Sequence, residues 1–90
     1  MIAKRIVVFG RVQGVWYRAK TKERADKLSV TGWVRNNADG SVEAVLEGEE
    51  DALFELVNWM GVGPRLARVD RLREDDIEPA GYDTFEIVRF

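Results

Sequence analysis

Histidine and cysteine are both absent from this chain of 90 residues. Without cysteine the protein has no disulfide, no thiolate nucleophile and no zinc–thiolate site. Without histidine it lacks the usual general base, the Ser–His and Cys–His pairs of hydrolases and the commonest metal ligand. Its chemistry must therefore rely on carboxylates, lysine, arginine, asparagine, hydroxyl groups, backbone amides or water.

Long apolar runs and a secretory leader are missing as well. No stretch of the sequence is long and apolar enough to cross a bilayer, and the first five residues lack a secretory pattern. We therefore expect a cytoplasmic protein without a membrane partner. With 46% apolar and 33% charged residues, a chain of this length predicts one globular domain over residues 1–90, and we expect a monomer.

The charge is small overall but unevenly placed. The formal net charge is −2, yet residues 1–36 contain nine Lys and Arg against two acidic residues, so the remainder carries a large negative excess. The positive excess near the amino terminus favours a small anion as ligand. Nucleic acid is not expected, since no basic strand studded with aromatic residues is present.

One segment, GRVQGVWYR at residues 10–18, has the composition of a phosphate-binding loop. It follows a strand-like apolar run at residues 6–9 and precedes a helical pattern that begins near Arg18. Two glycines four residues apart allow a tight turn whose amides point into one concavity, and a helix start adds further donors and partial positive charge. Arg18 supplies a planar fork of donors that matches phosphate oxygens. The spacing is neither G-x-G-x-x-G nor a Walker A loop, so an ordinary structural turn remains the alternative.

The hydrophobic periodicity predicts an α+β fold. Strands are predicted over residues 3–9, 31–37, 41–47, 67–73 and 84–90, and helices over residues 18–28 and between Glu49 and Gly61. The order β-α-β-β-α-β plus a final strand is typical of a ferredoxin-like sandwich with an additional C-terminal strand, an antiparallel sheet covered by two helices. The first helix then joins two strands that run the same way, which brings the loop and Asn36 to one edge of the sheet.

Several polar positions have local explanations. Residues 37–40 have the chemistry of a turn in which Asn37 bonds backbone groups, whereas Asn36 lies in the strand on the face of Val34. Asn36 is either an amide that holds a water beside a phosphate or one that satisfies backbone groups. Glu43 and Glu47 are expected on a solvated strand face, and residues 75–83 as a polar loop.

The aromatic and irregular positions complete the local predictions. Trp16 and Tyr17 are expected to pack at the exit of the loop or to border a pocket, and Trp33 and Trp59 to lie in the core or a helix seam. In the strand at residues 67–73, Val69 and Leu72 are out of step, which predicts a β-bulge. No set of acidic residues has the spacing of a metal site.

These features together resemble the acylphosphatase family, hydrolases of carboxyl–phosphate mixed anhydrides. GRVQGVWYR at residues 10–18 is similar to the family's phosphate-binding loop, and GWVRN at residues 32–36 with DGSVE at residues 39–43 to its second signature. The resemblance covers essentially the whole chain. Trp16 stands where a small residue is usual and Tyr17 where Phe is common, which bears on acyl-group preference.

The resemblance implies hydrolysis of acyl phosphates to a carboxylate and inorganic phosphate without a metal or other cofactor. It implies that Arg18 is the catalytic arginine and that Asn36 orients the attacking water. Inorganic phosphate, the product, is expected to be a competitive inhibitor. The phosphoryl group is expected to bind Arg18 and the backbone amides of Val12, Gln13, Gly14, Val15, Trp16 and Tyr17.

Two other classes stay open at this point. Ferredoxin-like domains also occur as non-catalytic binding modules, here for a small phosphorylated ligand. The second class is a detached acylphosphatase-like domain of a larger carbamoyl-transfer enzyme, although the compact chain of 90 residues, ending on a strand, argues against it. Turnover of an acyl phosphate distinguishes an enzyme from a binding module.

Overall fold

Five strands and two helices are present in residues 1–89, the part of the chain that this computed structural model describes. They are β1 (Ile2–Arg11), α1 (Tyr17–Lys27), β2 (Thr31–Asn36), β3 (Val42–Gly48), α2 (Glu50–Met60), β4 (Arg68–Ile77) and β5 (Phe85–Ile87). The predicted order of elements is confirmed. The last predicted strand is shorter than expected, and its final residue, Phe90, lies outside the described part.

The strands form one sheet in the order β4-β1-β3-β2-β5. Strand β3 pairs antiparallel with both β1 and β2, so β1 and β2 run in the same direction, as the first helix connection requires. The ferredoxin-like arrangement with an added C-terminal strand is therefore confirmed. The sheet is mixed rather than wholly antiparallel, because β5 lies parallel to β2 at the edge of the sheet.

The core lies between one face of the sheet and the two helices. Alternate residues of β3 point into it, and Val42, Ala44 and Leu46 are fully buried. Helix α2 presents its apolar stripe to the same layer, as predicted. The remaining members of this cluster include Ile6, Val8, Val12, Val15, Tyr17, Ala25, Val30, Val34, Leu53, Leu56, Met60 and Phe85.

Strand β4 is longer than its sequence pattern indicates. It continues to Ile77, so the prediction of a loop from residue 75 is wrong for residues 75–77. The charged end of the strand is stabilised by pairing with β1, where Lys4 Nζ lies 2.9 Å from Glu74 and 2.7 Å from Asp76. The predicted irregularity is present, because Phe9 pairs with Arg71 and Gly10 with Val69, leaving Asp70 as the extra residue of a bulge.

The side chain of Glu47 is buried, so the prediction of a solvated position is wrong. Its carboxylate accepts hydrogen bonds from the backbone N–H groups of Ala80, Gly81 and Tyr82 in the segment after β4. That segment connects β4 at one edge of the sheet to β5 at the other. Three hydrogen bonds to the carboxylate replace the water that it loses on burial. They also hold the segment between β4 and β5, which positions β5 beside β2.

Candidate active site

The loop between β1 and α1 is anchored by two buried valines. Val12 and Val15 are 1% and 2% exposed and belong to the core cluster. Gly14 has φ +75°, a conformation that a glycine adopts without steric cost, and this reverses the chain between the two anchors. Within residues 1–89, the backbone N–H groups of residues 13–16 donate to no other group. The loop therefore offers a row of unpaired donors held by a rigid frame.

The amino terminus of α1 adds to this concentration of donors. The helix begins at Tyr17, and Trp16 before it makes no side-chain capping hydrogen bond. The first turn contains no acidic residue, whereas the last turn contains Arg24 and Lys27. Since the first N–H groups of a helix have no partner within it, the positive end of α1 is open to an anion.

Arg18 lies in this first turn, on the wall of a cleft of about 300 Å³. Among residues 1–89 its guanidinium makes no ion pair and no hydrogen bond, so its planar donor fork is available to a ligand. The other residues that line the cleft come from the loop, from α1 and from the end of the chain: Gly14, Trp16, Tyr17, Ala19, Ile87 and Arg89.

Asn36 ends β2 beside the loop. Its side-chain oxygen Oδ1 is buried and has no hydrogen-bond partner within the part of the chain that the structure describes. A buried amide oxygen without a donor costs free energy, about 1–3 kcal/mol, so such an atom commonly serves a water or ligand. Asn36 lines a second cleft together with Arg35, Asn37 and Ala38.

The side chain of Gln13 connects the loop to the strand end. Its Nε2 donates to the backbone oxygens of Asn37, at 2.8 Å, and of Ser41, at 3.0 Å. These two bonds hold the row of loop amides against the turn that follows Asn36. The sequence predicts a role only for the backbone amide of Gln13, because the side-chain partners lie 24 and 28 residues away and no local pattern indicates them.

The turn after Asn36 is stabilised by its own side chains. The side-chain amide of Asn37 donates to the Ser41 hydroxyl at 3.0 Å, and the Asn37 backbone N–H donates to the Ser41 backbone oxygen at 2.8 Å. The side chain of Asn37 therefore contacts another side chain of the turn, where a bond to backbone groups was predicted. The Ser41 hydroxyl donates to Asp39 Oδ1 at 2.5 Å, and the Ser41 backbone N–H donates to the same oxygen at 2.9 Å. These bonds lower the pKa of Asp39 below its usual range, because they favour the charged carboxylate.

The carboxylate of Glu43 forms ion pairs with two arginines on the sheet face that points away from the helices. Arg5 Nε lies 3.2 Å and Arg35 Nη2 3.0 Å from its oxygens. Glu43 is thus part of an ion-pair network rather than a solvated residue, and it faces away from Asn36, whose neighbour in register is the buried Val42. It is badly placed to act as a base for water at Asn36.

The two aromatic residues at the end of the loop differ in environment. Tyr17 is buried, donates its hydroxyl to the Met60 backbone oxygen at 2.6 Å, and has its pKa raised by burial. Its ring packs against Trp59 at a centroid distance of 5.7 Å, in the seam between the helices. Trp16 is 72% exposed, so it borders the cleft of Arg18 instead of packing in the interior.

Trp33 lies on the open face of the sheet, outside the core and the helix seam where it was expected. Its indole N–H donates to the Tyr82 hydroxyl at 3.1 Å, and the Arg35 guanidinium lies over its ring at 5.1 Å. Trp59, by contrast, occupies the predicted helix seam, with Arg24 stacked over it at 4.7 Å. The alternation of β2, which buries Val34, sends Trp33 and Arg35 to the other face.

Two further properties concern residues 1–89 as a whole. In this range no three or more Asp or Glu side chains come together in a way that would hold a metal ion. Neither of the two helices described there has the length and apolarity needed to cross a membrane.

Comparison with known proteins relates this fold and loop to one family. A family model described as acylphosphatase matches residues 4–87. A protein named acylphosphatase from Nitrosococcus oceani is 48% identical over 83 residues, covering 92% of this chain and 93% of that one. One from Rubrobacter xylanophilus is 53% identical over 85 residues, covering 92% and 76%. The crystal structure of acylphosphatase from Bacillus subtilis superimposes with a TM-score of 0.96 at 38% identity, covering 99% and 100%.

Proposed function

The chain belongs to the acylphosphatase family of enzymes, which hydrolyse acyl phosphates, and we propose that Arg18 and the loop amides bind the phosphoryl group while Asn36 holds the attacking water. The observation that carries this proposal is a row of N–H groups at residues 13–16 and the guanidinium of Arg18, none of which has a partner within residues 1–89. Both lie at the positive end of α1. Such donors cost no reorganisation when charge develops on a substrate.

The phosphoryl group is bound by two kinds of donor. Backbone N–H groups of the loop meet its equatorial oxygens, and the fork of Arg18 bonds two of them in one plane. As water attacks phosphorus in line, negative charge on these oxygens is stabilised by donors already in place. Two hydrogen bonds from Gln13 to the turn keep the loop at a fixed distance from Asn36.

The attacking water is held by Asn36. The water donates one hydrogen bond to the buried Oδ1, which has no other donor within residues 1–89. A lone pair of the water oxygen then points at phosphorus. A P–O bond forms to water and the P–O bond to the acyl group breaks, so the products are a carboxylate and inorganic phosphate. A carboxylic acid with a pKa of about 4 to 5 is a good leaving group and needs little protonation.

The proton of the water passes to a phosphoryl oxygen of the substrate. Glu43 is paired with two arginines on the far face of the sheet, and hydrogen bonds from Ser41 make Asp39 a weaker base than usual. With no histidine in the chain, the substrate itself is the nearest acceptor. The product leaves as dihydrogen phosphate, and we expect free phosphate to compete with substrate for the same donors.

Phosphate release in a chelating buffer tests the activity directly. We expect turnover of acetyl phosphate and benzoyl phosphate, with rates that EDTA leaves unchanged, because the proposed site uses protein donors in place of a cation. The measurement is inorganic phosphate released by dialysed protein with and without EDTA. Binding without turnover would favour a binding module, and recovery only on addition of Mg²⁺ would exclude this mechanism.

The rate should respond weakly to pH between about 6 and 8. The chain contains no histidine, the side chain that ordinarily titrates in that window, and the amide of Asn36 has no ionisable group. We expect kcat and kcat/KM for benzoyl phosphate to vary by less than about threefold across it. A steep rise with an apparent pKa near 7 in both parameters would require a protein base, and Glu43 or Asp39 would be the first residues to replace.

Two expectations from the sequence stay predictions. The protein is predicted to be a monomer, which size-exclusion chromatography with light scattering measures directly. A cytoplasmic location is likewise a prediction. Neither enters the proposed mechanism, because every residue that it uses lies within residues 13–36 of one chain.

A further inference from the structure

The side chain of Trp16 has no partner among the residues that the structure describes. Its side chain is 72% exposed, and within residues 1–89 its ring has no aromatic or cationic neighbour and its indole N–H no acceptor. The other two tryptophans differ, since Trp33 bonds Tyr82 and Trp59 packs between Tyr17 and Arg24. Leaving an indole in water forfeits the free energy that its burial would provide. The fold therefore gains little from this side chain.

The backbone of Trp16 is also unfavourable for a tryptophan. Its φ is +67° and its ψ +18°, in the left-handed region, where the Cβ of an L residue crowds the following carbonyl oxygen. Glycine at this position would meet no such penalty. A bulky residue kept in a strained and solvent-exposed position beside a binding site points to a role in function.

The position of Trp16 indicates what it contacts. It lines the cleft of about 300 Å³ that also contains Arg18, together with Gly14, Ala19 and Ile87. The phosphoryl end of a substrate is taken up by the loop and Arg18, so the acyl end extends along the remaining wall of this cleft. Apart from the loop and Arg18, that wall is formed by the indole, by the aliphatic side chains of Ala19 and Ile87, and by Arg89. A cleft of this size is at the lower end of small-molecule sites.

We propose that Trp16 determines substrate specificity by packing its indole against the acyl group, so that this protein prefers acyl phosphates with a planar, apolar acyl group. The inference rests on the proposed function, because it assumes that Arg18 binds the phosphoryl end. An aromatic acyl group stacks on the indole in an offset or tilted geometry and covers much of its exposed face. An acetyl group has one methyl and covers little of it.

The test compares benzoyl phosphate with acetyl phosphate in four proteins: the wild type, Trp16→Phe, Trp16→Gly and Phe54→Ala. Trp16→Gly keeps the backbone N–H of residue 16 and should lower the ratio of kcat/KM for benzoyl phosphate to kcat/KM for acetyl phosphate by about tenfold, mainly through KM for benzoyl phosphate. Trp16→Phe keeps an aromatic face and should retain most of the preference. Phe54 is the matched control, since it is 68% exposed on α2 and lines a different cleft with Lys4 and Glu50.

Thermal unfolding provides a second readout. Trp16→Gly relieves the left-handed strain, and we expect its melting temperature to equal or exceed that of the wild type while its preference for benzoyl phosphate falls. A glycine that merely loosened the loop would lower kcat/KM for both substrates equally, and that result would overturn the inference. A change of the substrate ratio in Phe54→Ala would overturn it as well.

Failure of the inference and failure of the proposed function are distinguishable. If the wild type releases phosphate from neither compound, the proposed function falls. If it hydrolyses both and the ratio of the two kcat/KM values is the same in Trp16→Gly, only the role of Trp16 falls.

Discussion

Replacing Arg18 with alanine should abolish most of the phosphate release, with a loss in kcat/KM of about a thousandfold or more. Arg18 lies in the first turn of α1, and its guanidinium has no partner within residues 1–89, so its donors serve a ligand. For the same reason the substitution should leave the unfolding free energy nearly unchanged. The measurements are steady-state kinetics with benzoyl phosphate and thermal unfolding of the same sample.

The conservative variant and a matched control sharpen this test. Arg18→Lys should recover little activity, because an ammonium cannot bond two phosphoryl oxygens in one plane. Arg24→Ala removes the same charge from the last turn of the same helix, where the side chain stacks on Trp59, and should change kcat/KM by less than about threefold. Activity of Arg18→Ala within about tenfold of the wild type would contradict the assignment of the site.

Replacing Asn36 with alanine should lower kcat by about a hundredfold or more while leaving inhibition by inorganic phosphate nearly intact. Asn36 is assigned to the water, whereas phosphate is assigned to Arg18 and the loop. The inhibition constant of phosphate should therefore stay within about twofold of the wild-type value. Because the buried side-chain oxygen of Asn36 has no hydrogen-bond partner in the described part of the chain, its removal should not lower the stability of the fold.

Asn37→Ala is the matched control, since it removes the same amide one residue further along the chain. It breaks the bond to the Ser41 hydroxyl and the one from Arg35 Nε at 3.1 Å, so we expect a loss of about 1 kcal/mol of stability with little change in kcat. The bond from Gln13 remains, because it reaches the backbone oxygen of Asn37. If Asn37→Ala lost activity and Asn36→Ala lost stability, the two assignments would have to be exchanged.

The predicted positions that proved right are those where a local pattern has one physical solution. Apolar residues at the alternate positions Val42, Ala44 and Leu46 predict a strand with one face in the core, and the stripe of Leu53, Leu56 and Met60 predicts a helix. The bulge near Val69 was visible because two apolar residues were out of step. Each of these features depends on side-chain spacing within a few residues of the chain.

The predictions that proved wrong depend on partners distant in sequence. Glu47 alternates like a solvated residue, yet the segment at residues 80–82 crosses over it and buries it. Residues 75–77 look like a loop because they are charged, yet β1 supplies a strand to pair with and Lys4 supplies a counter-charge. Trp33 is predicted in the core because its side chain is large and aromatic, yet the alternation of side chains along β2 places it on the outer face of the sheet.

By itself the sequence determined the chemistry open to this protein and the order of its elements: an anion-binding loop ending in Arg18, an amide at the end of β2, and no histidine or cysteine. These follow from residue identity and short-range periodicity. Only the tertiary structure decided that Gln13 bonds the loop to the turn, that the buried Asn36 oxygen has no partner within residues 1–89, and that Trp16 is exposed in a strained conformation. The physical reason is that hydrogen-bond partners and burial depend on which distant segments meet.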